Sequence, residues 1–262
     1  MDLGLKGKIV LLTGASRGLG FATAKALLQD GARIAINSRD GQKLVDAKAE
    51  LTQSGGEVIT LPGDVSKPDT PDKLVKQTAS SLGGIDMLFT NAGGPPPMAF
   101  VDISDELWLK AVNLSFMSHV RLIRAALPYL RKSSTPAVLT VTSISVKQPI
   151  PNLILSNAVR AATVGLTKTL ALELGPENIR FNSILPSYTH TERVEQLLAD
   201  TAERKGTSLK EEIQTQNERS PLGRMGSPEE FANAAVFLLS PAASYITGLM
   251  LNIDGGTYKG LF

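Results

Sequence analysis

The chain has 262 residues, 27 Lys and Arg against 25 Asp and Glu, 42% apolar residues, two His and no Cys. This is globular composition with enough chain to bury a large core, and it excludes a disordered chain, a disulfide scaffold and any thiolate or Cys-based metal chemistry. The near-neutral charge has no clustered basic run, so no nucleic-acid partner is expected, and without an apolar run of about 18 residues no membrane span is expected either.

The N-terminal stretch MDLGLKGKIVLL lacks the basic, apolar and small-residue succession of a secretory signal, so a cytoplasmic location is the expectation. KIVLLT (8–13) reads as a first strand, followed by a helix over 18–30, the strand ARIAINS (32–38) and a helix over 40–54. Further strand-like runs are EVITL (57–61), IDMLF (85–89), PAVLTVT (136–142), IRFNSIL (179–185) and LMLNI (249–253), with helical stretches between them. A crossover between parallel strands needs a dozen or more residues, usually a helix. The alternation therefore predicts a single doubly wound, Rossmann-type α/β domain, with a seven-stranded parallel sheet and helices on both faces. Residues 187–227, between Pro186 and Pro228, break this rhythm with a charged, mostly helical excursion, expected to form a lid. His119 and His190 are too few and too far apart for a zinc site, so no metal is expected.

Directly after the first strand stands Thr13-Gly14-Ala15-Ser16-Arg17-Gly18-Leu19-Gly20, and then a helix. Glycines at this place allow a tight turn, close backbone approach to a pyrophosphate, and a helix N-terminus whose N–H groups face the anion. The strand before and the helix after it are the context that makes the pattern a dinucleotide site. At the end of the second strand an acid suits the ribose hydroxyls of NAD(H), whereas an arginine suits the 2′-phosphate of NADP(H). The chain has Ser38-Arg39 there, and Arg39 and Arg17 can both reach such a phosphate. NADP(H) is therefore favoured over NAD(H). Asp40, one residue on, is the contrary signal or the cap of the next helix.

Later strand ends carry Asp64-Val65, Asn91-Ala92-Gly93 and Thr142-Ser143, and Asn113 lies in an intervening helix. With the glycine turn these residues make the chain resemble the short-chain dehydrogenase/reductase family, similar to β-ketoacyl carrier-protein reductases. The resemblance spans essentially the whole chain, through Asn182, Pro186 and Thr191, Pro221-Leu222-Gly223-Arg224, and the closing Asp254-Gly255-Gly256. It implies that Asp64 and Val65 contact adenine, and that Asn91, Ala92 and Gly93 brace the sheet and line the cofactor cleft. It further implies that Thr191, with Pro186 beside it, contacts the nicotinamide, that Asn113 binds a relay water, and that Ser143 hydrogen-bonds the substrate oxygen. Assembly as a homotetramer through helices near 104–131 and 153–175 and the C-terminal strand is also implied. Apolar residues there, among them Leu107, Ala111, Leu114, Leu166, Leu170 and Leu174, suit either an interface or ordinary core.

The family places a Tyr thirteen residues after that serine and a Lys four residues farther on. Here the positions hold Ser156 and Arg160, and the only tyrosines are at 129, 188, 245 and 258. A phenol with a pKa near 10, lowered by a cation, can exchange a proton with an alkoxide, whereas an aliphatic hydroxyl titrates far higher. Arg160 keeps the positive charge and can hold ribose hydroxyls, but it cannot release a proton. Ser187 stands where the family usually has Gly. Tyr188 is the candidate replacement acid or an aromatic wall of the pocket, while Lys147 and His190 read as solvated charges. Gly94-Pro95-Pro96-Pro97-Met98 and Pro149-Ile150-Pro151 form either a stiff apolar pocket or merely stiff surface loops.

The expectation is an NADP(H)-dependent oxidoreductase acting on a carbonyl or alcohol of a small, largely apolar substrate through an altered proton relay. The alternative is an NADP(H)-binding sensor or partner subunit without efficient catalysis.

Overall fold

Four consecutive apolar residues, Ile9–Leu12, form strand β1, and all four are buried because the strand is covered on both faces. The computed structural model describes residues 2–53 and 55–261. Along β1 the side chains alternate between two apolar clusters. Val10 and Leu12 join one with residues of α1 (Gly18–Gln29), α2 (Gly41–Gln53) and α9 (Pro228–Leu239). Ile9 and Leu11 join another with residues of α3 (Thr70–Leu82) and α5 (Ser118–Leu130). Of the predicted helix over 40–54, Ser54 lies outside the described residues.

The remaining strands are β2 (Arg33–Ser38), β3 (Val58–Pro62), β4 (Met87–Thr90), β5 (Ala137–Val141), β6 (Arg180–Pro186) and β7 (Met250–Ile253). All pair in parallel in the order β3-β2-β1-β4-β5-β6-β7, the predicted doubly wound sheet. The order reverses between β1 and β4, so the crevice beyond their carboxyl ends is where such a fold binds ligands.

The long helical stretch before β5 consists of α4 (Asp105–Val112) and α5, joined without a break by one π-turn at Asn113–Met117. A π-turn holds one residue more than the regular ladder, so the helix changes phase there. Helix α6 (Ile154–Glu173) follows β5. Ala111 is buried against Leu155 and Val159 of α6, while Leu114, Leu166, Leu170 and Leu174 pack against the sheet-side cluster and, like Leu107, stay partly exposed. Leu109 and Leu172, by contrast, are 63% and 70% exposed.

Between β6 and α9 the chain forms α7 (Glu192–Lys205) and α8 (Leu209–Arg219). Local bonds fix this hairpin. Ser208 and Glu211 make a capping box, and the buried carboxylate of Glu212 accepts bonds from Lys205 Nζ at 2.9 and 3.1 Å and from Thr207 Oγ1 at 2.8 Å. None of the described helices is long and apolar enough to cross a membrane.

Candidate active site

The carboxyl ends of β1 and β4 are tied together at the point where the strand order reverses. Thr13 Oγ1 donates to the Asn91 carbonyl at 2.9 Å and accepts from the Asn91 N–H at 3.0 Å, and Asn91 Nδ2 donates to the Gly14 carbonyl at 3.1 Å. The turn between β1 and α1 is packed so closely that a Cβ at Gly20 would lie 2.2 Å from the Gly14 carbonyl oxygen. Gly14 has φ +60°, and a Cβ there would meet the Asn91 carbonyl oxygen at 2.8 Å. No side chain caps the start of α1, so its first-turn N–H groups remain available to an anion.

A cleft with a volume of about 460 Å³ runs along these strand ends. Gly14, Ser16, Arg17, Gly18 and Leu19 line it from the first turn, Ser38 and Arg39 from the end of β2, and Asp64 and Val65 from the end of β3. Asn91, Ala92 and Gly93 line it after β4, Ser143, Ser156 and Arg160 after β5, and Pro186, Tyr188 and Thr191 after β6. Two predicted residues stand outside this lining: Gly20 acts by packing on the turn, and Asn113 sits in the π-turn. Asn113 Nδ2 donates to the Leu109 carbonyl at 3.1 Å, and its Oδ1 accepts from Arg121 Nη2 at 3.0 Å.

The acid that competed with Arg39 has a local role. Asp40 Oδ1 accepts from the Lys43 N–H at 3.1 Å and so caps α2, while Arg39 is exposed at the cleft edge. Arg17 is ion-paired with Glu192 at the start of α7, which joins the glycine turn to the 187–227 segment.

At the other end of the cleft, the Ser143 hydroxyl accepts the Ser145 N–H at 3.1 Å, which fixes the oxygen and leaves its own hydrogen for another acceptor. Ser156 and Arg160 are 9% and 8% exposed and bonded to each other, Arg160 Nε donating to Ser156 Oγ at 3.2 Å. Arg160 Nη1 donates to the Val141 and Thr142 carbonyls at 3.2 and 3.1 Å, and Nη2 reaches the Ala92 carbonyl at 3.5 Å. Burial, with Arg193 nearby, lowers the Arg160 guanidinium to about 10.

Tyr188 lines this cleft and also a second cavity of about 230 Å³ beside Arg219 and Asp254. Burial raises its phenol above the ordinary value; of the charges near it, Arg219 opposes the shift and Glu212 adds to it. A raised value is the reverse of what a phenol needs as a proton-exchanging group near neutral pH.

Sequence reasoning did not single out two further residues, of which Arg193 lines the cleft and His119 lies buried outside its lining. Arg193 lines the cleft and donates to the Pro95 carbonyl at 3.2 Å, a contact across 98 residues that no local pattern announces. His119 is fully buried, with Nδ1 2.7 Å from Thr90 Oγ1. Desolvation, with Arg160 nearby, pushes its imidazole down to about 3.

Comparison with known proteins agrees with this geometry. The family model described as enoyl-(acyl carrier protein) reductase matches residues 14–258. Dehydrogenase/reductase SDR family member 4 of Homo sapiens is 34% identical over 254 residues, covering 97% of this chain and 88% of that protein. The crystal structure of L-sorbose reductase from Gluconobacter frateurii, complexed with NADPH and L-sorbose, superposes with a TM-score of 0.95 at 34% identity over 100% of both chains. An NADPH-bound short-chain oxidoreductase from Pseudomonas aeruginosa PAO1, described as containing an atypical catalytic centre, superposes at 0.87 with 31% identity over 97% of each chain. The glycine turn at the β1/β4 crevice, the parallel sheet and these relatives lead to one conclusion: the chain belongs to the short-chain dehydrogenase/reductase family and is an oxidoreductase of that family.

Proposed function

We propose that the protein is an NADP(H)-dependent oxidoreductase that acts on the carbonyl or alcohol of a small, largely apolar substrate through an altered proton relay. The observation that carries this reading is the single cleft, which brings the glycine turn and Arg39 together with Ser143, Ser156 and Arg160. The cradle fits a dinucleotide. Gly14, Ser16, Gly18 and Leu19 with the α1 N-terminus would hold the pyrophosphate, and Ser38, Arg39 and Arg17 would hold the 2′-phosphate. Asp64 and Val65 would flank the adenine, Asn91 to Gly93 would form the floor, and Pro186, Thr191 and Arg160 would surround the nicotinamide riboside. When bound, the nicotinamide supplies or accepts the hydride.

The remaining work falls to this chain's own groups. Ser143 donates its hydroxyl hydrogen to the carbonyl oxygen, and Arg160 places an uncompensated positive charge beside the oxygen as it becomes an alkoxide. Ser156 keeps the guanidinium in place through its bond to Nε. The proton comes from water, because neither Ser156 nor Arg160 can release one near neutral pH. The 187–227 segment acts as a lid whose contacts with the cleft floor are Arg17–Glu192 and Arg193–Pro95. The exposed Leu109 on α4 and Leu172 on α6 support assembly as a homotetramer through these helices. Light scattering giving a monomer mass would remove that part of the proposal.

The test is a titration with NADPH and NADH, run beside turnover of a panel of ketones, aldehydes and alcohols. Tighter binding of NADPH and measurable carbonyl reduction are expected. Binding of NADPH with no turnover on any compound would instead support a cofactor-binding sensor or partner subunit, a reading favoured by the Ser156–Arg160 bond, which engages both residues at the reaction centre with each other.

A further inference from the structure

Two guanidinium groups converge on one backbone position at the substrate end of the cleft. A Cβ at Gly94 would lie 3.6 Å from Arg160 Nη2 and 3.8 Å from Arg193 Nη2. Arg160 arrives from α6 beneath the cleft and Arg193 from the lid helix α7. Neither has an acidic partner among the described residues, since Glu192, the acid beside Arg193 in sequence, is paired with Arg17. The other acid of the cleft lining, Asp64, belongs to the end of β3, at the far side of the sheet from β5.

The donor count leaves room for a ligand. Of the five N–H groups of Arg160, Nε and both on Nη1 are bonded, and Nη2 has one long bond to the Ala92 carbonyl. Arg193 uses one N–H, on the Pro95 carbonyl. Two like charges this close, one of them buried, are mutually unfavourable until an anion comes between them. Burial lowers the Arg160 guanidinium most, and the charge of Arg193 lowers it further. In the proposed binding mode the cofactor's phosphates lie at the glycine turn and Arg39, so the cofactor leaves this pair uncompensated. The apolar side chains of Ile150, Leu153, Val194 and Leu197 line the same cleft.

We propose that Arg193 forms a carboxylate subsite beside Gly94, with the buried charge of Arg160 behind it and the free N–H of Arg160 left to the reacting oxygen, so that the substrate is an oxo acid or hydroxy acid with an apolar body. This rests on the oxidoreductase reading above and adds the substrate class. A carboxylate matches the planar fork of a guanidinium and strengthens each hydrogen bond by its charge. Because Arg193 stands on the lid, the same anion would draw the lid onto the cleft floor.

The test compares a carboxylate with its neutral isostere. Hexanoate and hexanamide are titrated calorimetrically into the NADPH-saturated protein, wild type and Arg193→Gln. The wild type should bind hexanoate about tenfold or more tighter than hexanamide, and Arg193→Gln should bring the two within about twofold. Arg193→Lys, which keeps the charge, should retain part of the preference. Equal binding of the two compounds by the wild type would overturn the subsite. So would an Arg193→Gln variant that keeps the preference but loses NADPH affinity, because Arg193 would then serve the cofactor. Failure of the oxidoreductase reading is distinguishable: NADPH and hexanoate would bind as expected, yet no 2-oxo or 3-oxo acid would be reduced, and the subsite would stand.

Discussion

Arg160 Nε donates to Ser156 Oγ at 3.2 Å, so the two residues that the resemblance sets at the family's Tyr and Lys positions are bonded to each other one helical turn apart. The pair behaves as a unit. The serine orients the guanidinium, and the guanidinium is otherwise anchored on the Val141 and Thr142 carbonyls at the end of β5. In the proposed mechanism this keeps a positive charge at the reaction centre and leaves it without an exchangeable proton.

Restoring the proton should therefore restore rate. The double variant Ser156→Tyr with Arg160→Lys is expected to raise kcat for carbonyl reduction by about 10²–10⁴-fold, the usual worth of a positioned acid–base group. The check is single-turnover NADPH oxidation with NADPH affinity measured in parallel. No gain at unchanged affinity would mean that more than the relay differs.

Tyr188 should prove dispensable for the chemical step. Its phenol is raised by burial, and the charges acting on it, Arg219 and Glu212, belong to α8. Tyr188→Phe is expected to keep kcat within about threefold of wild type, against the 10²-fold or greater loss that removal of a general acid produces. A loss of that size in the pH-independent region would assign the proton to Tyr188.

Arg39 should set the cofactor preference. Arg39→Ala is expected to weaken NADPH by about tenfold or more while leaving NADH nearly unchanged, because in the proposed binding mode that guanidinium addresses only the 2′-phosphate. Fluorescence titration with both nucleotides measures it. Equal loss for the two would move the 2′-phosphate site to Arg17 or elsewhere.

His119 should make the fold sensitive to mild acid. Its folded-state value near 3 lies below the 6.5 of an exposed imidazole, so below pH 6.5 the unfolded chain binds a proton that the folded chain does not. Its contribution to stability is whole above pH 6.5 and declines as pH falls from there toward 3. Between pH 7.5 and 5.5 this amounts to about 1.4 kcal/mol, a window above the range where carboxylates titrate. Urea unfolding of wild type and His119→Gln across that window should show the wild type losing more stability on acidification. Parallel curves would remove His119 as the cause.

The sheet was legible because seven apolar runs sit between helical stretches of crossover length, and the strand order then follows from the fold class. Within the site, the residues after each strand could be read because the fold itself aims them at the crevice. Asp40 could not be assigned from sequence, since an acid at a strand end and an acid at a helix start look alike until the Lys43 N–H is seen to point at it. Asn113 was legible as a motif, but its bond to Arg121, eight residues on, depends on a phase change in the helix that the amphipathic pattern does not display. Arg193 was illegible because its partners, Pro95 and the space beside Gly94, belong to the segment after β4, 98 residues earlier in the chain.

That phase change limits how this protein can vary in length. Deleting one residue from Asn113–Met117 would return the helix to a regular ladder and satisfy its backbone more uniformly. An insertion or deletion elsewhere along α4 or α5 has no such turn to absorb it: it would rotate α4 relative to α5 by about 100°, the turn of a single residue, and swing Trp108 and Ala111 away from α6. The helix can therefore lose a residue at this one turn and keep its faces, and nowhere else along its length.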